Sequence, residues 1–163
     1  MAKFKFGVLI NPYATAKTAR LADGPGATNL LGKLDNGKFV KLVGDSQYGL
    51  CAVGNEIEAE IGVADDIAPA DGFTMGSLNE AASTRIQVTF DGVQATPGTG
   101  VIAIGDYVVA GTVVARGTGL LGALPKVCKA TALGADVVYK WRVVSFISGT
   151  GAVGQTGLIE RVI

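Results

Sequence analysis

The sequence contains no histidine, and this absence excludes most of the common catalytic and metal-binding arrangements. Ser-His-Asp and Cys-His nucleophilic systems and histidine zinc sites all need an imidazole. Cys51 and Cys128 are too few for a thiolate zinc site and lie in apolar surroundings, so we predict two buried structural cysteines, although their spacing leaves a single disulfide open. Asp65, Asp66 and Asp71 could offer oxygens to Ca²⁺ but lack the EF-hand pattern. We therefore expect no metal and no cofactor.

Charge is also scarce, since only 17% of the residues are charged and 14 basic residues balance 14 acidic ones. A protein that binds nucleic acid through its phosphates would show a basic stripe, and none is visible. The apolar runs are too short to span a bilayer, and the run at residues 6–10 is too short for a secretory signal. We expect no nucleic-acid partner, no membrane partner and synthesis in a cytoplasm. The low net charge permits close self-association.

Long helical patterns are missing, whereas short β-type runs are common. Hydrophobic residues make up 48% of the chain, and 24 of 163 residues are glycine. We count roughly nine or ten β-type runs at spacings of roughly 8–15 residues, with turn residues between them. This pattern predicts one all-β domain over residues 1–163, an antiparallel β-sandwich or barrel of jelly-roll-like type.

Several β-type segments give specific predictions. Residues 38–53 predict a hairpin, and residues 84–90 alternate as a half-buried strand does. Residues 98–119 predict a core hairpin of two strands, 101–104 and 107–115, joined by a turn at Gly105 and Asp106. Residues 137–147 predict a strand whose Trp141 lies in the core or at a subunit interface.

The N-terminal part has a different character. Residues 3–10 alternate as a strand does, but residues 11–36 are small, polar and interrupted by proline and glycine. A stretch of this length without a regular pattern is typically a functional loop or an arm. We predict an irregular loop or extended N-terminal arm over residues 11–36, either lying on the surface or reaching a neighbouring subunit.

Two motifs suggest chemistry, and each of them also has a purely structural interpretation. Residues 117–122, GTGLLG, match the dinucleotide pattern G-x-G-x-x-G, but Pro125 and the β-type sequence after it leave no helix to receive a pyrophosphate. Glu56, Glu58 and Glu60 alternate, which places their carboxylates on one face about 6.6 Å apart. This spacing is compatible with a glycosidase pair, but it is more typical of a solvated strand face. We predict that the protein is not an enzyme.

Four segments resemble the capsid decoration, or cement, proteins of tailed bacteriophages: GKFVKLVGDSQYGLCAVGNEIEAEIGV, VIAIGDYVVAGTVVA, KWRVVSF and GLIERV. The resemblance extends from about residue 37 onward and lies in short Val/Ala/Gly strands, a G-D-x-V turn and an aromatic-basic strand near the end. It implies a structural virion protein that binds the outer surface of the phage head and cements neighbouring major capsid protein subunits. It also implies a homotrimer or, as the next choice, a homodimer, located on the capsid surface.

On this hypothesis two regions provide the partner contacts. An arm over residues 12–31 would reach a neighbour, and three leucines beside a glycine turn would form an apolar contact. The candidate contact residues are Pro12, Tyr13, Arg20, Leu30, Leu31, Leu120, Leu121 and Leu124. Removal of residues 1–30 should weaken binding to the shell while leaving the domain folded.

Two other functions remain open from the sequence. A receptor- or carbohydrate-binding module, attached to the capsid as a head fibre is, would use Trp141 or Tyr107 as an exposed stacking surface. A glycosidase would use Glu56 and Glu58.

Overall fold

A computed structural model describes residues 16–24, 27–64, 74–131 and 139–163. The described chain is nearly all β and includes a closed barrel, which confirms the predicted all-β sandwich or barrel class, although the sheets are mixed and not purely antiparallel as predicted. The expected strand at residues 3–10, Pro12, Tyr13 and the acidic residues Asp65, Asp66 and Asp71 lie outside the described residues.

The first half of the chain forms a closed five-stranded barrel in the order β1-β3-β2-β4-β5. β5 pairs with β1 and closes the ring, and β1 and β3 are parallel whereas the other neighbours are antiparallel. Its core consists of buried aliphatic side chains and Tyr48. The strands are β1 (Ala16–Leu21), β2 (Phe39–Gly44), β3 (Gln47–Leu50), β4 (Ala59–Ala64) and β5 (Met75–Asn79).

The second half forms a six-stranded sheet in the order β10-β11-β6-β9-β8, with β7 paired to β6. β6 and β9 are parallel. The two outer strands approach each other, because Tyr107 bridges to Arg142 and the Val143 amide donates to the Asp106 carbonyl at 2.9 Å. The strands are β6 (Arg85–Val93), β7 (Thr96–Pro97), β8 (Val108–Ala110), β9 (Lys126–Lys129), β10 (Trp141–Phe146) and β11 (Thr156–Arg161).

The core of the second sheet confirms two predictions from composition. Trp141 is fully buried in it, as the core interpretation expected. Cys51 and Cys128 are free and buried, and burial raises the pKa of their thiols to about 12 and about 11. Such thiols stay protonated at neutral pH and behave as small apolar groups.

Local patterning predicted two further elements correctly. β2 and β3 form the hairpin expected within residues 38–53, with Val40 opposite Leu50 and Leu42 opposite Tyr48. The strand expected at residues 84–90 is β6, which extends to Val93. Period-two alternation matches the burial of β6 through Phe90, whereas the hairpin follows from two β-type runs on either side of a polar turn at residues 45–46.

The prediction of an irregular loop or arm over residues 11–36 is wrong for residues 16–21. These residues form β1, which closes the barrel between β3 and β5, and Leu21 is fully buried. Leu30 and Leu31 are buried as well, at 2% and 0% exposure. Removal of residues 1–30 would therefore take out a barrel strand and part of the core, so the expectation that this truncation folds is also wrong.

The predicted core hairpin over residues 98–119 does not form. Val101 pairs with Ala152 and Tyr107 pairs with Arg142, so the two runs face different partners. Only Val108–Ala110 is a strand, and the chain then leaves the sheet as a loop that returns at Lys126. The expected turn at Asp106 is present, and its carboxylate accepts a hydrogen bond from the Ala103 amide at 2.7 Å.

The prediction that Glu56, Glu58 and Glu60 form a solvated strand face is wrong for Glu60. β4 begins at Ala59, and Glu60 on it is fully buried, with one carboxylate oxygen accepting a hydrogen bond from Asn79 at 2.9 Å and the other without a partner in the described residues. Ala59 and Ile61 point into the barrel core, so Glu60 lies on the outer face of the barrel, where it is nevertheless fully buried. Burial raises the pKa of Glu60 to about 8.

This burial predicts an unusual dependence of stability on pH. Because the folded protein holds the Glu60 proton to about pH 8 and an unfolded chain releases it near about pH 4.3, stability should fall as pH rises between these values. Glu60→Gln should remove this slope and raise the free energy of unfolding at pH 8 by a few kcal/mol, at about 1.4 kcal/mol per pKa unit. Urea unfolding at several pH values from 5 to 9 measures this pH dependence of the free energy of unfolding.

Glu80→Gln is the matched control. The Glu80 carboxylate lies 3.4 Å from the Lys17 ammonium and its side chain is 20% exposed, so its removal should leave the slope in place. Parallel pH profiles for the Glu60→Gln variant and the unmodified protein would contradict the assignment.

Candidate functional site

The loop of residues 112–125 connects β8 to β9 and is closed at its base. The Gly111 amide donates to the Lys126 carbonyl at 2.9 Å, which brings the two ends of the loop together. Asp91 on β6 accepts hydrogen bonds from the amide and the hydroxyl of Thr112, at 2.7 and 2.6 Å. Burial opposes ionisation of Asp91, but the Thr112 hydrogen bonds and the nearby Lys126 outweigh it and lower its pKa. The geometry is that of an Ω-loop, a type that is frequently functional.

A buried ion pair holds the middle of this loop against the barrel. Lys38 and Asp35 are 2.7 Å apart, and their side chains are only 4% and 1% exposed. The Lys38 ammonium also donates to the Ala115 carbonyl at 2.7 Å, while Asp35 accepts from the Gly117 amide at 2.9 Å. A further bond from the Gly32 amide, at 3.0 Å, satisfies the second oxygen of Asp35. Both charges are therefore used to fix loop backbone, with the short distances expected of charge-assisted hydrogen bonds.

An apolar groove of about 80 Å³ lies beneath the loop. Leu120 and Leu124 of the loop line it on one side, and Phe39, Leu50 and Cys51 line it on the other. Leu120 and Leu124 are partly buried. The loop therefore closes over apolar side chains of β2, β3 and the residue that follows β3, and it is packed as well as hydrogen-bonded.

The tip of the loop carries the most exposed large apolar side chain among the described residues. Leu121 is 96% exposed. It lies in a turn closed by the Ala123 amide, which donates to the Leu120 carbonyl at 2.9 Å, and both central residues have positive φ, 52° at Leu121 and 85° at Gly122. Glycine adopts this conformation freely, but for leucine it costs roughly 1–2 kcal/mol. An exposed leucine held in a strained turn gains nothing from the fold, and such outliers point to function.

The candidate contact residues separate into three groups. Pro12 and Tyr13 lie outside the described residues. Leu30 and Leu31 are core residues, because the barrel needs their side chains inside, so their assignment as contacts is wrong. Arg20 is exposed on β1, while Leu120, Leu121 and Leu124 come together on the loop.

The sequence analysis missed the two residues that position the loop, Asp35 and Lys38. Their spacing of three, in the short stretch L-D-N-G-K, is visible in the sequence. It indicates a local ion pair but not its burial, which depends on a loop 77 residues away.

The acidic residues of the alternative enzyme hypothesis are paired with bases. Lys140 contacts the Glu58 carboxylate and lies 4.0 Å from that of Glu56, and Arg161 lies 3.5 Å from Glu58. Burial raises the pKa of Glu56. This cluster joins residues 56–58, which precede the barrel strand β4, to the end of the second sheet.

The glycine motif and the two candidate stacking residues have defined positions in the structure. Residues 117–122 lie in the loop, and a strand follows them at Lys126, so no helix is present to receive a pyrophosphate. Trp141 is fully buried, which makes its assignment as an exposed stacking surface wrong, whereas Tyr107 is 43% exposed. In the described ranges no group of three acidic, cysteine or histidine residues is arranged to hold a metal ion.

Comparisons with protein-family models, curated proteins and solved structures gave no match. Within the described part of the chain, no helix has the length and apolar character needed to cross a membrane.

The ion pair gives a prediction about stability. Lys38→Ala should lower the free energy of unfolding by about 3 kcal/mol, because it leaves the buried Asp35 carboxylate without its cation. The backbone of residues 112–125 should also become more accessible to protease and to hydrogen exchange. Urea unfolding and amide exchange measure the two effects.

Lys126→Ala is the matched control, since Lys126 is 45% exposed and lies 3.7 Å from Asp91. Its loss should cost under about 1 kcal/mol. Equal effects of the two lysine substitutions would show that the buried pair does not hold the loop.

Proposed function

We propose that this chain is a structural virion protein that binds the outer surface of a tailed-phage head and cements neighbouring major capsid protein subunits. The observation that carries the proposal is the Leu121 tip: an apolar side chain, 96% exposed, on a loop whose base and middle are both fixed. A cement protein needs a rigid projection of this kind, because a preorganised contact loses little entropy on binding. The resemblance of the sequence to decoration proteins names the partner.

The contact that the Leu121 tip can make is weak by itself, and a shell surface compensates for this by offering many equivalent sites. Burial of one leucine side chain yields about 1.5–3 kcal/mol, which is weak for a single site. Each molecule that bridges several capsid subunits would add such contacts, and linked contacts reach high avidity without strong individual affinity.

Self-association is part of the proposal, with a trimer first and a dimer next. The chain has 14 basic and 14 acidic residues, so long-range repulsion between copies is small. The tip sequence from Gly117 to Pro125 contains no charged residue, so a partner can cover it without desolvating a charge.

The Leu121 tip can be tested without damage to the fold. Leu121→Asn places in the left-handed turn a residue that tolerates it, so the free energy of unfolding should stay constant or rise by up to about 1 kcal/mol. Binding to phage heads that lack this protein should weaken at least about tenfold, as expected for the loss of one buried leucine. Co-sedimentation with heads measures the binding, and light scattering measures the oligomeric state.

Ile147→Asn provides the control, because Ile147 is 52% exposed but lies outside the loop. It should bind heads as the unmodified protein does. Unchanged head binding by the Leu121→Asn variant would refute the tip as the contact. A change in oligomeric state with unchanged head binding would assign the tip to self-association alone.

A further inference from the structure

A second surface feature, separate from the loop, is a cleft of about 240 Å³ at the outer strand of the second sheet. Gly105, Asp106 and Tyr107 form one side, and Lys129 to Thr131 form the other, with Tyr139 between them. The backbone is fixed here, since the Ala130 amide donates to the Tyr107 carbonyl at 2.9 Å and Tyr107 bridges to Arg142. The cleft is thus built on paired strands and a tight turn.

Two tyrosine rings form its aromatic wall. The ring centroids of Tyr107 and Tyr139 are 6.4 Å apart and the planes are inclined by 36°. Tyr139 donates its hydroxyl to the Thr131 carbonyl at 3.3 Å, which orients its ring, while Tyr107 keeps 43% of its surface exposed. An exposed ring beside a fixed one offers a flat apolar face to a ligand.

A balanced charge pair forms the polar part of the cleft. The Lys129 ammonium lies 2.9 Å from one oxygen of Asp106, and the same oxygen accepts the Ala103 amide. The two side chains are 42% and 20% exposed, so their remaining donors and acceptors reach solvent. Among the described residues, no atom lies within 4 Å of a Cβ placed on Gly105.

We propose that this cleft binds a neutral carbohydrate ring. The apolar C–H face of a sugar would stack on Tyr107, and its hydroxyls would exchange hydrogen bonds with the Asp106 carboxylate and the Lys129 ammonium. A few polar groups beside an apolar wall are the usual composition of a small-molecule site.

The charge pair selects against charged ligands. Two aromatic rings with a carboxylate alone would suit a quaternary ammonium ion. Lys129 places a positive charge 2.9 Å from that carboxylate, which repels a cation, and Asp106 in turn disfavours an anion. The site is independent of head binding and would give the proposed virion protein a second, sugar-binding function.

Titration of the ¹⁵N-labelled full chain with glucose, galactose, mannose and N-acetylglucosamine tests the proposal. At least one sugar should shift the amide signals of Gly105, Tyr107 and Thr131. Tyr107→Ala should weaken that binding by about tenfold, whereas Tyr107→Phe should retain most of it, because stacking needs only the ring face. Ile104→Ala, on an exposed neighbouring residue, should change nothing.

Three results would overturn the proposal: none of the four sugars shifts these signals, choline shifts them and the sugars do not, or the Tyr107→Ala variant binds sugar as the unmodified protein does. Circular dichroism checks that each variant is folded, and Tyr139→Ala serves as a second wall variant if Tyr107→Ala unfolds. Head binding should be the same in the Tyr107→Ala variant, which separates this site from the Leu121 tip.

Discussion

The buried ion pair between Lys38 and Asp35 is the interaction on which the arrangement of the two sheets and the loop depends. Taking two charges out of water is costly, and their mutual attraction offsets the cost only when their other hydrogen bonds are also made. Here those bonds come from the backbone at Gly32, Ala115 and Gly117. The segment just before β2, which contains Asp35 and Lys38, therefore needs the loop backbone to satisfy its charges, and the loop needs the ion pair to hold its shape.

Closure of the sheets is the second constraint on what this protein can bind. The barrel has no open edge, because β5 pairs with β1. In the second sheet the outer strands meet through Tyr107 and Arg142. Open edges are the usual sites at which another chain adds a strand. With the barrel closed and the outer strands of the second sheet in contact, we expect association to use loops and side-chain surfaces such as the loop tip and the tyrosine cleft.

How far the sequence predicts this structure depends on how local each cause is. β6 follows from alternation alone, whereas the β2–β3 hairpin follows from two β-type runs on either side of a polar turn. The burial of Trp141 agrees with its position in a β-type run. β1 was not predicted because only two of its side chains, Ala19 and Leu21, lie in the barrel core. The close packing of β5 on Leu21 depends on Gly76, where a Cβ would lie 2.5 Å from the Leu21 side chain. The strand that begins at Val108 ends at Ala110, and the residues after it are held by Asp91, 21 positions away in sequence, whose carboxylate accepts the Thr112 amide. Glu60 is buried where its carboxylate accepts a hydrogen bond from Asn79, 19 positions away.

The conformation of Leu121 separates a functional interpretation of the loop from a purely structural one. A loop that only covered the apolar groove would need Leu120 and Leu124, whose side chains line it, and could place asparagine or glycine at the turn without strain. The chain instead keeps a leucine at φ 52°, where it does not line this groove and is almost fully exposed. The strained turn disfavours the isolated fold, whereas the exposed side chain contributes nothing to it. Burial of that side chain by a partner would add a gain that the fold does not provide. The fixed base below it then ensures that little of that gain is lost to ordering the loop.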